Sequence, residues 1–146
     1  MNPIFRTVNF TLATILRSPL HSLLSRNLLL ITVTGRKSQQ PYTVPVSYQQ
    51  HNREVRIVSE RTDRWWRNVR GGAPVTVQLQ GHTIAGEAQV IEATSEVLAQ
   101  LSEHLRQSTT IARMLNVKRD EHGQYKPEDL NRAAEHSVVV CVALGQ

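Results

Sequence analysis

The chain has 146 residues, 40% of them hydrophobic and 20% charged, a composition that fits one globular domain and argues against a disordered segment. Its single cysteine, Cys141, excludes a disulfide scaffold within the chain, and no uncharged apolar run reaches the roughly 18 residues of a transmembrane helix. The net charge of +5 is unevenly placed: residues 1–53 hold six Lys or Arg and no acid, and the remainder holds 11 bases against 12 acids. An all-basic first third is expected to meet an anionic partner, for which the candidates are a phosphorylated cofactor, an anionic membrane surface and nucleic acid. No uninterrupted apolar core precedes a small-residue cleavage site, so a cytoplasmic location is expected.

Residues 3–26 read as a helix, with Ile4, Phe5, Val8, Leu12, Ile15, Leu16, Leu20, Leu23 and Leu24 forming one apolar stripe. Pro19 should kink or divide it. The stripe is a packing face or, being basic and amphipathic, a peripheral contact with the inner face of a membrane. From Leu28 the period changes to two. Strands are expected over 28–34, 42–49, 54–59, 75–80, 83–91 and 137–144, six in all. Pro45 cannot donate to a ladder, which places that residue at an edge, a bulge or a ligand. His51 and Asn52 make a hairpin turn. Asp63 is expected to cap a short helix over 64–70 that Gly71 and Gly72 stop, and Gly86 to mark a bulge or a barrel bend. Residues 95–135 are helical again, in an insertion before the last strand, with Pro127 in the first turn of the final helix. Cys141, inside the run VVVCVAL, reads as a reduced core residue. No repeat or linker marks a second domain, so 1–146 is expected to be one α+β unit. Short antiparallel strands with helical insertions point to a closed or split β-barrel.

Two stretches carry chemistry. The strand LLLITVT ends in Gly35, which presents Arg36, Lys37 and Ser38 together; a guanidinium, an ammonium, a hydroxyl and turn amides suit a phosphate or carboxylate. The same residues also read as a solvated basic turn. The surrounding strands exclude a Walker loop, which opens a helix, and no GxGxxG occurs. The second stretch is Trp65-Trp66-Arg67-Asn68, which joins both tryptophans of the protein to a cation and an amide. Indole faces stack on flat rings, and Asn68 both donates and accepts; the alternative is a pair of aromatics that cover a barrel end. Taken together, the turn would hold an anionic tail and the indoles a planar head. The six histidines lack HxH or HxxxH spacing, so no metal site is expected, and no nucleophile motif supports hydrolysis. Few aromatics interleave with the cations of the basic third, so nucleic acid is not the expected partner.

LLITVTGRKS, YTVPVSY and WWRNVRGGAPVTVQL together resemble the deazaflavin-dependent nitroreductase family, small flavin and deazaflavin oxidoreductases of the FMN-binding split β-barrel superfamily. The resemblance runs from about Leu28 to Val90. It implies that Arg36, Lys37 and Ser38 bind the phosphate or polyglutamate tail of coenzyme F-420, and that Thr43, Val44, Pro45 and Val46 line the deazaflavin ring. It also implies that Ser59 sits at the reactive face, the one catalytic candidate, and that Trp65, Trp66 and Asn68 wall the pocket. The implied reaction is hydride transfer from the reduced cofactor to a quinone, enone or nitro compound. The protein would contribute orientation and exclusion of water. Alternatives are FMN in the same pocket and a non-catalytic binder of flavin, haem or lipid. A homodimer is expected by analogy, because split barrels of this superfamily often share pockets across subunits. Two positions depart from the family pattern: Gln39 follows Ser38 in place of glycine, and Glu60 follows Ser59 where a lysine is common. The tyrosines at 42, 48 and 125 do not match the substrate-side tyrosines of some members.

Overall fold

The computed structural model describes residues 28–107 and 110–145, so the helix expected over 3–26, with its candidate membrane-facing stripe, lies outside the described residues. Among the described residues the order is β1 (Leu28–Thr34), β2 (Pro41–Ser47), β3 (Gln49–His51), β4 (Glu54–Glu60), a 3-10 turn (Trp65–Val69), β5 (Ala73–Leu79), β6 (His82–Ile91), α1 (Thr94–Gln107), α2 (Thr110–Met114), α3 (Pro127–His136) and β7 (Ser137–Leu144). The seven strands form one antiparallel sheet in the order β2-β1-β5-β6-β7-β4-β3. The sheet curls into a split barrel, an α+β fold.

The strand count differs from the expected six because the run 42–49 divides. β2 ends at Ser47 and β3 begins at Gln49, and these two strands occupy opposite edges of the sheet. Only Tyr48 separates them, so the chain steps directly from one edge to the other, and the sheet must curl far enough to bring the edges together. The alternation of YTVPVSYQ runs straight through the break, since twist and curvature are tertiary properties that period two does not encode. Pro45 lies in the edge strand β2, where a missing N–H costs least.

Period two sorts the side chains into two cores. Inside the barrel lie Leu29, Ile31 and Val33 of β1, Val55 and Ile57 of β4, Val75, Val77 and Leu79 of β5, Val138, Val140 and Val142 of β7, and both tryptophans. On the outer face, Val139 of β7 meets Val97, Leu101 and Leu105 of α1 and Ala133 and Ala134 of α3, with Val58 of β4 and Cys141 against them. β7 is therefore covered on both sides, which explains its unbroken apolar run. Cys141 is a half-buried free thiol whose pKa burial pushes up. Gly86 makes no bulge, since β6 pairs without interruption with β5 and β7. The close approach of β7 demands it: a Cβ there would lie 2.7 Å from Val142 Cγ1 and 2.9 Å from the Ala143 carbonyl oxygen. Pro127 opens α3 as its spacing predicts. No described helix is long and apolar enough to cross a membrane.

Candidate functional site

β1 delivers its turn at one end of the barrel. Gly35 is buried there, and any Cβ on it would run into Ser38 Oγ; the left-handed residue of the turn is Gln39, at φ 58°. Bonds from Gly35 N–H to the Gln40 carbonyl (2.9 Å) and from Gln39 N–H to the Gly35 carbonyl (2.8 Å) close it. The chain leaves β4 at the same end and enters the 3-10 turn, which Gly71 and Gly72 stop at φ 86° and 97°.

Asn68 ties the two stretches together. Its Oδ1 accepts the Arg36 backbone N–H at 3.0 Å, and its Nδ2 donates to the Tyr42 hydroxyl and, at 3.1 Å, to the Trp65 carbonyl. Arg36 also donates through its guanidinium to the Arg70 carbonyl. The cationic turn and the tryptophan segment are therefore in direct contact, 32 residues apart in sequence. Burial pushes the Tyr42 hydroxyl above its usual pKa, and the Asn68 bond partly opposes that.

Beside this junction opens a cleft of about 1340 Å³. One wall is β2 with Pro41, Tyr42, Val44, Pro45, Val46 and Ser47, and Ser38 of the turn before it also lines the cleft. The other wall is built by the end of β4 and the turn that leaves it: Val58, Ser59, Glu60, Asp63, Arg64 and Trp65. Ile111, Met114 and Leu115, from α2 and just beyond, add an apolar patch, with Met114 66% exposed.

Of the residues the sequence singles out, Ser38, Val44, Pro45, Val46, Ser59 and Trp65 line this cleft. Arg36 and Lys37 are exposed on the turn, and Thr43 Oγ1 lies 2.7 Å from Thr32 Oγ1 on the neighbouring strand. Trp66 is 2% exposed in the barrel core, its Nε1 donating to the Glu60 carbonyl at 3.1 Å. The Arg67 and Arg70 guanidinium groups lie 5.6 and 5.0 Å from its ring centroid, in cation–π contact. Asn68 acts as a brace between turn and helix.

Asp63 does not cap the helix after it: the 3-10 turn has no side-chain cap bond. Its Oδ2 accepts instead from Ser59 Oγ at 2.9 Å, and Trp65 Nε1 donates to that same Oγ at 3.1 Å. Asp63, Arg64 and the α2 patch are lining residues that sequence patterning does not single out as such, whereas Glu60, also in the lining, is the acid that departs from the family pattern. For α2, the available signal is an apolar triplet in a helix too short to bury it. For Asp63 there is none, since an aspartate before a short helix reads as a cap.

Among the described residues no three His, Cys, Asp or Glu side chains gather as metal ligands would. A family model described as F420H(2)-dependent quinone reductase matches residues 16–120. No curated protein matches the chain. Solved structures similar to it include an F420-H2 dependent reductase, FDR-A, which is 17% identical at a TM-score of 0.54, over 80% of this chain and 94% of that one. A protein described as a domain-swapped dimer is 17% identical at a TM-score of 0.55, over 97% and 99%. An FAD and heme binding protein from Mycobacterium smegmatis is 16% identical at 0.50, over 88% and 67%. At such identities these likenesses speak for the split-barrel fold alone. The family match spans most of the chain, and on it the protein belongs to the F420H(2)-dependent quinone reductase family, deazaflavin-dependent oxidoreductases that use coenzyme F-420.

Proposed function

We propose that the cleft between β2 and the Ser59–Trp65 segment holds the deazaflavin ring of coenzyme F-420 beside a small quinone, enone or nitro acceptor. The observation that carries this reading is the convergence of six sequence-selected residues on one cleft next to the cationic turn. Single-ligand pockets run to roughly 300–1,000 Å³, so the cleft has room for a ring and an acceptor together. Its apolar β2 wall suits a flat heterocycle, and the exposed cations of the turn suit an anionic tail. Glu60 and Asp63 in the opposite wall disfavour a second anionic group there, which directs the tail toward Arg36 and Lys37.

When bound, the reduced cofactor supplies the hydride. Val44, Pro45 and Val46 pack against the ring and shed water from one side. Ser59 contributes a hydrogen-bonding oxygen held by Asp63 and Trp65, and Ile111, Met114 and Leu115 cover the acceptor side. Arg36 is tied by its bond to the Arg70 carbonyl, which leaves Lys37 as the more adaptable partner for the tail. A homodimer is consistent with the similar domain-swapped protein. Contact of residues 1–26 with a membrane rests on their basic amphipathic pattern, and salt-resistant co-sedimentation with anionic liposomes tests it.

Tryptophan quenching on titration with F-420 tests the site, because Trp65 borders the cleft. Lys37→Ala should weaken F-420 binding, with a shallower salt dependence and little change in stability, as expected of an exposed charge. Unchanged affinity would remove the turn from the site. Saturable quenching by FMN but not by F-420 would replace the cofactor, and tight binding without turnover would favour the non-catalytic reading.

A further inference from the structure

We infer that Asp63 is a positioning residue: acting through Ser59, it decides which hydrogen-bonding character the barrel end offers to a ligand. The inference rests on the proposed function only for what that ligand is.

Ser59 is the last inward residue of the alternation Val55, Ile57, Ser59 on β4; it is 6% exposed and borders the cleft. Just after β4 the chain turns, closed by the Asp63 N–H donating to the Glu60 carbonyl at 3.0 Å. That turn folds the Asp63 side chain back over the end of the strand, where its Oδ2 meets the serine hydroxyl at 2.9 Å. Two residues later Trp65, fixed in the barrel core, brings its Nε1 to 3.1 Å from the same oxygen.

The donor and acceptor inventory fixes the rest. An indole N–H only donates, and a carboxylate only accepts. Ser59 therefore spends its proton on Asp63 and one lone pair on Trp65. A hydroxyl has one proton and two lone pairs, so a single lone pair remains for the cleft. Ser59 meets a ligand as an acceptor. It selects an N–H or O–H group, such as a ring imide, and opposes a carbonyl or nitro oxygen pressed against it. Without Asp63 the proton would be free to turn toward the ligand, and the same serine would present a donor.

The test compares Asp63→Ala, Asp63→Asn, Ser59→Ala and the Ser59→Ala/Asp63→Ala double variant. Asp63 is exposed, and Asp63→Asn keeps an oxygen that can still accept from Ser59. Titrated with F-420, Asp63→Ala should bind about 3- to 10-fold more weakly, the scale of one misdirected hydrogen bond, and Asp63→Asn about as wild type. In the Ser59→Ala background, removal of Asp63 should cost no further affinity. An equal loss with and without the serine hydroxyl, or equal harm from Asn and Ala, would overturn the proposal. A readout without cofactor separates this from the functional reading. The Trp65 indole N–H cross-peak should move upfield in Asp63→Ala, because the acceptor it donates to loses its polarising partner, and stay in place in Asp63→Asn. A cross-peak unmoved by Asp63→Ala refutes the role of Asp63 even if F-420 binds. A wild-type protein that ignores F-420 while the cross-peak moves refutes only the ligand.

Discussion

The two faces of β4 hold two polar groupings of opposite character. On the inner face, at the barrel end, Ser59 is bonded to Asp63 and Trp65, and Asn68 bonds the Arg36 amide, the Tyr42 hydroxyl and the Trp65 carbonyl. On the outer face, near α1, Gln49 Oε1, Arg56 Nε and His104 Nδ1 are buried without hydrogen-bond partners among the described residues. The first arrangement fixes rotamers and proton positions in advance, as a binding site requires. The second recovers only part of its desolvation, through Gln49 Nε2 donating to the His104 carbonyl at 3.0 Å, which makes the helical layer the place where solution conditions act on stability. One strand thus separates a preorganised surface from a vulnerable one.

The largest test of this contrast is Trp66→Ala. Because this indole is core, its removal should cost about 3–5 kcal/mol in a denaturant titration, the range for a buried aromatic. A variant that kept its stability and lost only cofactor affinity would return Trp66 to the pocket wall. Next comes acid. His104 is 1% exposed, and burial, with Arg56 close by, depresses its pKa to about 4. The unfolded chain, with a histidine pKa of about 6.5, then binds more protons than the folded one between those values. The neutral imidazole contributes its full stability above pH 6.5 or so, and up to about 3 kcal/mol of it is lost as pH falls toward 4. His104→Leu should flatten that part of the profile relative to wild type; an unchanged slope would place the acid sensitivity elsewhere. The smallest effect is Asn68→Ala, about 1–2 kcal/mol for a lost hydrogen-bonding brace. Its specific sign is a Tyr42 pKa raised further, since the Asn68 bond now lowers it, and a spectrophotometric titration of the tyrosines reads this.

Much of the fold is legible in the chain because local periodicity carries it. Val75, Val77 and Leu79 turn inward as their spacing dictates, and Pro127 opens its helix. The cationic turn and the tryptophan segment announce themselves by composition. What they do to each other is hidden, because Asn68 reaches Arg36 only when two sheet ends coincide in space. The same limit applies to Tyr48 and to Asp63. The first marks a change of sheet edge with no change of pattern, and the second has a side chain that could serve either the helix ahead or the strand behind. Backbone turn geometry chose the strand.

β7 has a consequence for how the protein is made. It lies between β6 and β4, so without it the sheet is two separate pieces, β2-β1-β5-β6 and β4-β3. It is also the strand that comes after every other in sequence. A growing polypeptide on the ribosome can therefore form hairpins early, but it cannot join them, bury either apolar layer fully or shape the cleft until Ser137–Leu144 emerges. Until then β6 and β4 expose edges that β7 later pairs, which gives the nascent chain a window of susceptibility to aggregation that narrows once β7 is in place.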